Sequence, residues 1–202
     1  MIAGTDEVGR GCLAGPVVAA AVILKEDIPG LTDSKKISPK KREFLADLIL
    51  EKSFFAYGVV SNNKIDKINI LNASLLAMKR AILNLPVRPS LVLVDGTFKP
   101  DLDIPMRAII GGDSSENAIS AASIIAKVYR DNLMIKYDSI FPVYDLKGNK
   151  GYGTKKHLEA LKNFGHCEIH RTTFNGVIIK WAICFHTWEF PQNSAYHRDY
   201  WL

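Results

Sequence analysis

Met1-Ile2-Ala3-Gly4-Thr5-Asp6-Glu7-Val8-Gly9-Arg10-Gly11 opens the chain, and a long run of small and β-branched residues follows it to about Leu24. An apolar run bounded by glycines predicts a buried strand, and here the strand is expected to end on two adjacent carboxylates. Farther along, Leu91-Val92-Leu93-Val94 leads into Asp95-Gly96, and Ile109-Ile110-Gly111-Gly112 leads into Asp113. Three apolar segments thus each deliver acid at or just past their ends. Clustered carboxylates repel one another and resist ionisation unless a cation compensates. Asp6, Glu7, Asp95 and Asp113 therefore form a candidate site for a hard divalent cation, which takes oxygen ligands and keeps part of its water shell. On spacing alone the same acids serve equally well as turn and cap residues. Neighbouring residues of a regular strand also face opposite sides, so Asp6 and Glu7 reach one ion only if the strand ends or bulges there, or if the longer Glu7 side chain reaches around.

Other elements follow from pattern and punctuation. Val17 to Leu24 and Ser53 to Val60 read as strands, as do Leu91 to Val94 and Met106 to Ile110. Ser38-Pro39 is an N-cap followed by proline at the first helical position, with Phe44, Leu45, Leu48 and Ile49 as the apolar stripe. Further helices are predicted from about Ile70 to Leu85, ended by Pro86, from about Ser115 to Tyr137, and from Thr154 to Phe164, capped by Gly165. Small residues in the first half of the Ser115 to Tyr137 helix permit close packing on a sheet. Consecutive strands followed by alternating strand and helix predict an α/β fold with a mixed sheet covered by helices. Residues 1–140 are expected to form the core and residues 141–202 a small C-terminal helical extension packed on it, with Pro142 to Lys150 as a hinge.

The 202 residues include 48% hydrophobic types, enough for a sizeable core. Lys and Arg number 26 against 21 Asp and Glu, a formal charge of +5 that favours anionic partners. Withdrawal of several acids into one site would leave the remaining surface more basic still. Cys12, Cys167 and Cys184 form neither a disulfide framework nor a paired zinc motif. With no signal-peptide pattern and no membrane-length apolar run, a cytoplasmic protein without membrane attachment is expected. Lys35 and Lys36, and a second group of Lys147, Lys150, Lys155 and Lys156, read either as solvated faces or as phosphate contacts.

Several blocks in order carry a more specific signal. They are Gly4 to Gly11, Ala14-Gly15-Pro16-Val17-Val18, Asp33-Ser34-Lys35-Lys36, Val94-Asp95-Gly96, Gly112-Asp113, Ala121 to Asp131, Lys150-Gly151-Tyr152-Gly153-Thr154 and His170 to Phe174. In these blocks, which span most of the chain, it resembles ribonuclease HII, the type 2 ribonuclease H family. The resemblance implies a ribonuclease H-like fold with a central mixed five-stranded sheet flanked by helices. It also implies a metal-dependent endonuclease that hydrolyses the RNA strand of RNA/DNA hybrids and cleaves 5′ of ribonucleotides embedded in duplex DNA, leaving 5′-phosphate and 3′-hydroxyl ends. Asp6, Glu7, Asp95 and Asp113 carry over as the acids that bind Mg2+ or Mn2+, two ions during catalysis. Gly9, Arg10, Gly11 and Tyr152 carry over as readers of the junction between a ribonucleotide and the deoxynucleotide after it. A monomer is expected.

Departures from the family pattern occur at Gly111, where a lysine is common, and at Asn149, where histidine is common. Lys127, Arg130 and Asp131 are expected to form ion pairs at least as readily as to touch substrate, and His170-Arg171 to brace the fold. The aromatic tail, with Trp181, Phe185, Trp188, Phe190, Tyr196, Tyr200 and Trp201, is expected to cover the C-terminal helix. Two rival readings remain on residues alone: another ribonuclease H-like nuclease acting on DNA structures, and a non-catalytic nucleic-acid-binding module.

Overall fold

The computed structural model describes residues 1–177. The expected role of the aromatic tail lies outside the described residues. Strands β1 (Ile2–Val8), β2 (Val17–Leu24), β3 (Ser53–Val60), β4 (Leu91–Asp95) and β5 (Met106–Ile109) form one sheet in the order β3-β2-β1-β4-β5. The first three pair antiparallel, whereas β1, β4 and β5 run parallel. The predicted mixed five-stranded sheet is present.

Helices cover both faces. Helix α1 (Pro39–Lys52) begins at Ser38, whose hydroxyl accepts from the Lys41 N–H as the N-cap reading requires. Its buried stripe is Leu45, Ala46 and Ile49, while Phe44, expected in the stripe, is 62% exposed. Phe44 lies beyond the edge of the face that Leu45 and Ile49 set one turn apart. Helix α2 (Asn62–Ile68) has no counterpart in the sequence pattern: its seven residues bury a single apolar side chain, Ile65, too little for a periodic signal. Helix α3 (Ile70–Leu83) packs on one face of the sheet together with Ile65. Helices α4 (Gly112–Ser115) and α5 (Asn117–Ile140) follow β5. Helix α5 and α1 cover the opposite face.

Close approach of α5 to the sheet depends on Gly4, because a Cβ there would lie 2.2 Å from the Ala118 carbonyl carbon. The small residues of α5 therefore bring its backbone directly onto β1. The stretch expected as a hinge is instead a 3₁₀ turn at Pro142–Tyr144 and α6 (Leu146–Asn149), with Tyr144, Leu146 and Asn149 buried. Helix α7 (Lys155–Phe164) stops at Gly165 as predicted, and Thr154, expected as its first residue, is its N-cap. Leu146 and Leu161 join Leu13, Ala14 and Met134 in a third apolar cluster. Among the described residues no helix is long and apolar enough to cross a membrane.

Candidate active site

The two neighbouring acids do not end their strand. The β1–β2 ladder is regular through Val8, with Asp6 opposite Ala20 and Glu7 opposite Ala19. Parallel pairing with β4 stops earlier, at Thr5 and Val94, so on that side β1 runs free past Asp6. Ala20 belongs to the core under α5 and Ala19 to the core under α3, which places Asp6 and Glu7 on opposite faces as the pleat demands. Burial, and then the charges of Glu7 and Asp95, push the Asp6 carboxyl well above its ordinary range. Hydrogen bonds from Ser123 and from the Glu7 N–H, the latter 2.7 Å, act in the other direction. Glu7 is also raised by burial, partly offset by Arg10, whose Nη1 lies 3.1 Å from Glu7 Oε1.

Asp95 closes β4, and its Oδ1 accepts from the Asp113 N–H at 3.4 Å. Burial raises Asp113, and the charges of Asp33 and Asp95 add to it, against Lys35 and Lys36. Asp95 thus acts electrostatically on Asp6, Glu7 and Asp113, which joins the neighbouring pair on β1 to the acid that follows β5. Among the described residues no three His, Cys, Asp or Glu side chains are gathered closely enough to cage a metal by themselves. The donor set is all oxygen, with Arg10 and the Lys35-Lys36 pair offsetting only part of its repulsion. It fits Mg2+ or Mn2+ bound with water and substrate oxygens completing the shell.

Three residues not expected at the site support it. Ser123, buried on α5, acts to lower the Asp6 carboxyl, and its Oγ lies 3.0 Å from Ser34 Oγ. Ser34 belongs to the loop Asp33-Ser34-Lys35-Lys36, which Arg42 clamps by donating to the carbonyls of Ser34 and Ile37 at 2.8 and 3.1 Å. Asp33 accepts from the Lys35 N–H at 2.9 Å, and Lys36 Nζ reaches Ser114 Oγ at 3.1 Å beside Asp113. The signal available in the sequence is Ser123, the one polar residue of the run Ala121 to Ala126. Gly111, where the family pattern often has lysine, takes φ +68, and the lysines acting on Asp113 come from this other loop.

The residues that follow the Gly9-Arg10-Gly11 loop are in direct contact with the Tyr152 segment. Cys12 and Tyr152 form an isolated antiparallel bridge, and the Leu13 N–H donates to the Gly151 carbonyl at 2.8 Å. Two buried arginines hold this region from beneath. Arg171 donates to the carbonyls of Gly15, Arg10 and Gly9 at 3.0, 2.9 and 2.7 Å, and Arg130 to those of Pro16, Lys150 and Ala14 at 2.9, 2.7 and 3.0 Å. Gly9 has φ +95, and a Cβ on it would fall 2.2 Å from Arg130 Nε, so glycine is required twice over. Arg130 therefore clasps carbonyls where an ion pair is expected from its helical neighbours; on the same helix Lys127 does pair with Asp131, at 2.7 Å. The expected bracing role of Arg171 is met. Asn149 ties the adjoining turn, donating to the Tyr144 carbonyl at 2.6 Å and accepting from the Gly151 N–H at 2.7 Å.

Of the second lysine group, Lys156 pairs with Asp145 at 3.1 Å, and Lys150 donates to the Lys147 carbonyl.

Residues 3–177 match the family model described as Ribonuclease HII. A ribonuclease HII of Idiomarina loihiensis is 55% identical over 180 residues, which is 88% of this chain and 96% of that one. The crystal structure of the ribonuclease H2 from Pyrococcus horikoshii superposes with a TM-score of 0.75 at 25% identity, covering 87% of this chain and 94% of the other. A ribonuclease HIII crystallised with Mn2+ shares the fold, with a TM-score of 0.67 at 20% identity over 87% of this chain and 67% of the other. The ribonuclease H-like fold, the order of the motif blocks and identity at this level over nearly the whole length agree, and the chain belongs to the ribonuclease HII family of endoribonucleases.

Proposed function

We propose that this protein is a metal-dependent endonuclease that hydrolyses the RNA strand of RNA/DNA hybrids and cuts 5′ of single ribonucleotides embedded in duplex DNA, leaving 5′-phosphate and 3′-hydroxyl ends. The observation that carries the reading is the position of Asp95, which acts on Asp6, Glu7 and Asp113 from the end of the central parallel strand pair. Asp6, Asp95 and Asp113 would hold the cation, with Glu7 reaching it from the other side of the strand. A divalent ion held there supplies activation of the attacking water and stabilisation of charge on the leaving oxygen. The Mn2+ bound by the ribonuclease HIII relative agrees with this assignment.

The chain's own groups would do the rest. Backbone at Gly9 to Gly11 can approach the sugar edge closely and sense the 2′-hydroxyl, the group that separates RNA from DNA. Tyr152, 39% exposed beside that loop, would lay its ring on the following deoxyribose, where an added hydroxyl is poorly accommodated. Lys35 and Lys36 would meet phosphate at the acid cluster and raise salt-dependent affinity.

The deciding experiment is incubation with a DNA duplex carrying one ribonucleotide, with Mg2+, with Mn2+ and with chelator. Cleavage 5′ of the ribonucleotide in the metal-containing reactions alone is expected. Equal cutting of an all-DNA duplex would instead support a DNA-structure nuclease.

A further inference from the structure

A line of hydrogen bonds crosses two buried imidazoles and ends on the backbone of Tyr152. The Cys167 N–H donates to His170 Nδ1 at 3.0 Å, His170 Nε2 and His157 Nε2 lie 3.0 Å apart, and His157 Nδ1 is 2.9 Å from the Tyr152 carbonyl oxygen. Both ends are chemically fixed, because a peptide N–H only donates and a carbonyl oxygen only accepts. His170 Nδ1 must therefore be bare and its Nε2 protonated. His157 Nε2 then accepts, and the proton on His157 Nδ1 is given to Tyr152. One tautomer of each ring satisfies every bond, and an extra proton on either ring would set two N–H groups against each other.

The surroundings favour that neutral state. His157 and His170 are 0% and 1% exposed. Burial lowers both, and with the help of His157 it brings His170 to about 4. Asp145 acts on His157 but is itself paired with Lys156, while His166 and Cys167 stand beside His170, and Tyr144 lies edge-on to both rings. The Tyr152 carbonyl also accepts from the Thr154 N–H at 2.8 Å, and the Tyr152 N–H donates to the Asn149 carbonyl at 3.0 Å. His157 is thus the side chain that ties this backbone to α7.

We propose that His157 and His170 are positioning residues that set the preference for a ribonucleotide–deoxyribonucleotide junction over a continuous hybrid, by fixing the backbone from which the Tyr152 ring projects. The inference rests on the role given to Tyr152 above. It concerns the ratio of kcat/KM on a singly substituted duplex to kcat/KM on an RNA/DNA hybrid, not the acid cluster.

The test measures that ratio for the wild type, His157→Leu, His157→Asn, Tyr152→Ala and the double variant His157→Leu/Tyr152→Ala. Loss of one such bond is expected to lower the ratio about three- to tenfold in His157→Leu. His157→Asn, whose amide stands where Nδ1 was and still donates to the Tyr152 carbonyl, should restore most of it. The double variant should fall no further than Tyr152→Ala. An unchanged ratio in His157→Leu beside a lowered one in Tyr152→Ala reduces the imidazoles to packing and overturns the proposal alone. An unchanged ratio in both overturns the role of Tyr152 as well. Imidazole nitrogen chemical shifts of the wild-type protein test the relay even if the leucine variant fails to fold: His157 protonated at Nδ1 and His170 at Nε2 near neutral pH are expected, and the reverse tautomers overturn the relay.

Discussion

Arg171 donates from Nη2 to the carbonyl of Gly9 at 2.7 Å across 162 positions of sequence. Its other bonds go to the Arg10 and Gly15 carbonyls, and burial lowers its guanidinium to about 10, so it stays charged at neutral pH. Lysine cannot reproduce three planar donors. Arg171→Lys should therefore leave buried carbonyls unpaired and cost about 3 kcal/mol or more. A urea-unfolding midpoint equal to that of the wild type would show that the clasp contributes nothing.

Asp95→Asn keeps the shape of the site while removing the charge that acts on the three other acids. Losing several kcal/mol of charge stabilisation lowers turnover by about a thousandfold or more. Binding of the substituted duplex, followed by fluorescence anisotropy, should change little. Unaltered turnover would remove Asp95 from the chemistry.

The raised carboxyls fix the sign of a metal effect. Groups whose folded-state pKa lies above the unfolded value contribute stability at low pH and lose it as pH rises through the folded value. Without a cation, Asp6, Glu7 and Asp113 should weaken the fold increasingly above about pH 4. Mg2+ should offset this, by about 2.7 kcal/mol at a hundred times its dissociation constant. Thermal melts with Mg2+ and with chelator should differ more at pH 8 than at pH 5; an equal shift, or none, would contradict the cluster's role.

Ser123 steadies the ionised form of Asp6. Ser123→Ala removes that hydroxyl and deprives the buried Ser34 hydroxyl of its partner, a change of about 1–3 kcal/mol in stability. The Asp6 carboxyl should then rise further. The acid limb of the pH–rate profile should move to higher pH, with activity at pH 6 suffering more than at pH 8. A profile that keeps its shape would refute the link.

His157 and His170 are held below the ordinary imidazole range. Groups lowered in this way contribute stability above about pH 6.5 that is lost as pH falls through their folded values, which for His170 is about 4. Imidazole proton resonances of His170 should stay fixed down to below pH 6 in the native protein, those of His157 should titrate below the ordinary imidazole value, and both should titrate near 6.5 in urea. Native-state titration of either at 6.5 would exclude the neutral pair.

Much of this architecture is legible in the sequence because its signals are local. Ser38-Pro39 starts α1, Gly165 stops α7, and the β-branched runs give β2 and β4. The acids are legible because each follows such a run. What local pattern does not supply is anything made by crossing. The continuation of β1 through Val8 depends on its partner β2, and Phe44 falls outside its expected stripe because that stripe is chosen by the helix it meets. Arg130 reads as one more helical charge, since nothing near it in sequence announces three carbonyls from two distant loops.

Order of synthesis gives the Arg171 clasp a further consequence. Gly9 leaves the ribosome 162 positions ahead of the guanidinium that secures it. The nascent chain therefore lacks a finished Gly9 to Gly11 loop until Arg171 has emerged. A loop made early is completed by a side chain made much later.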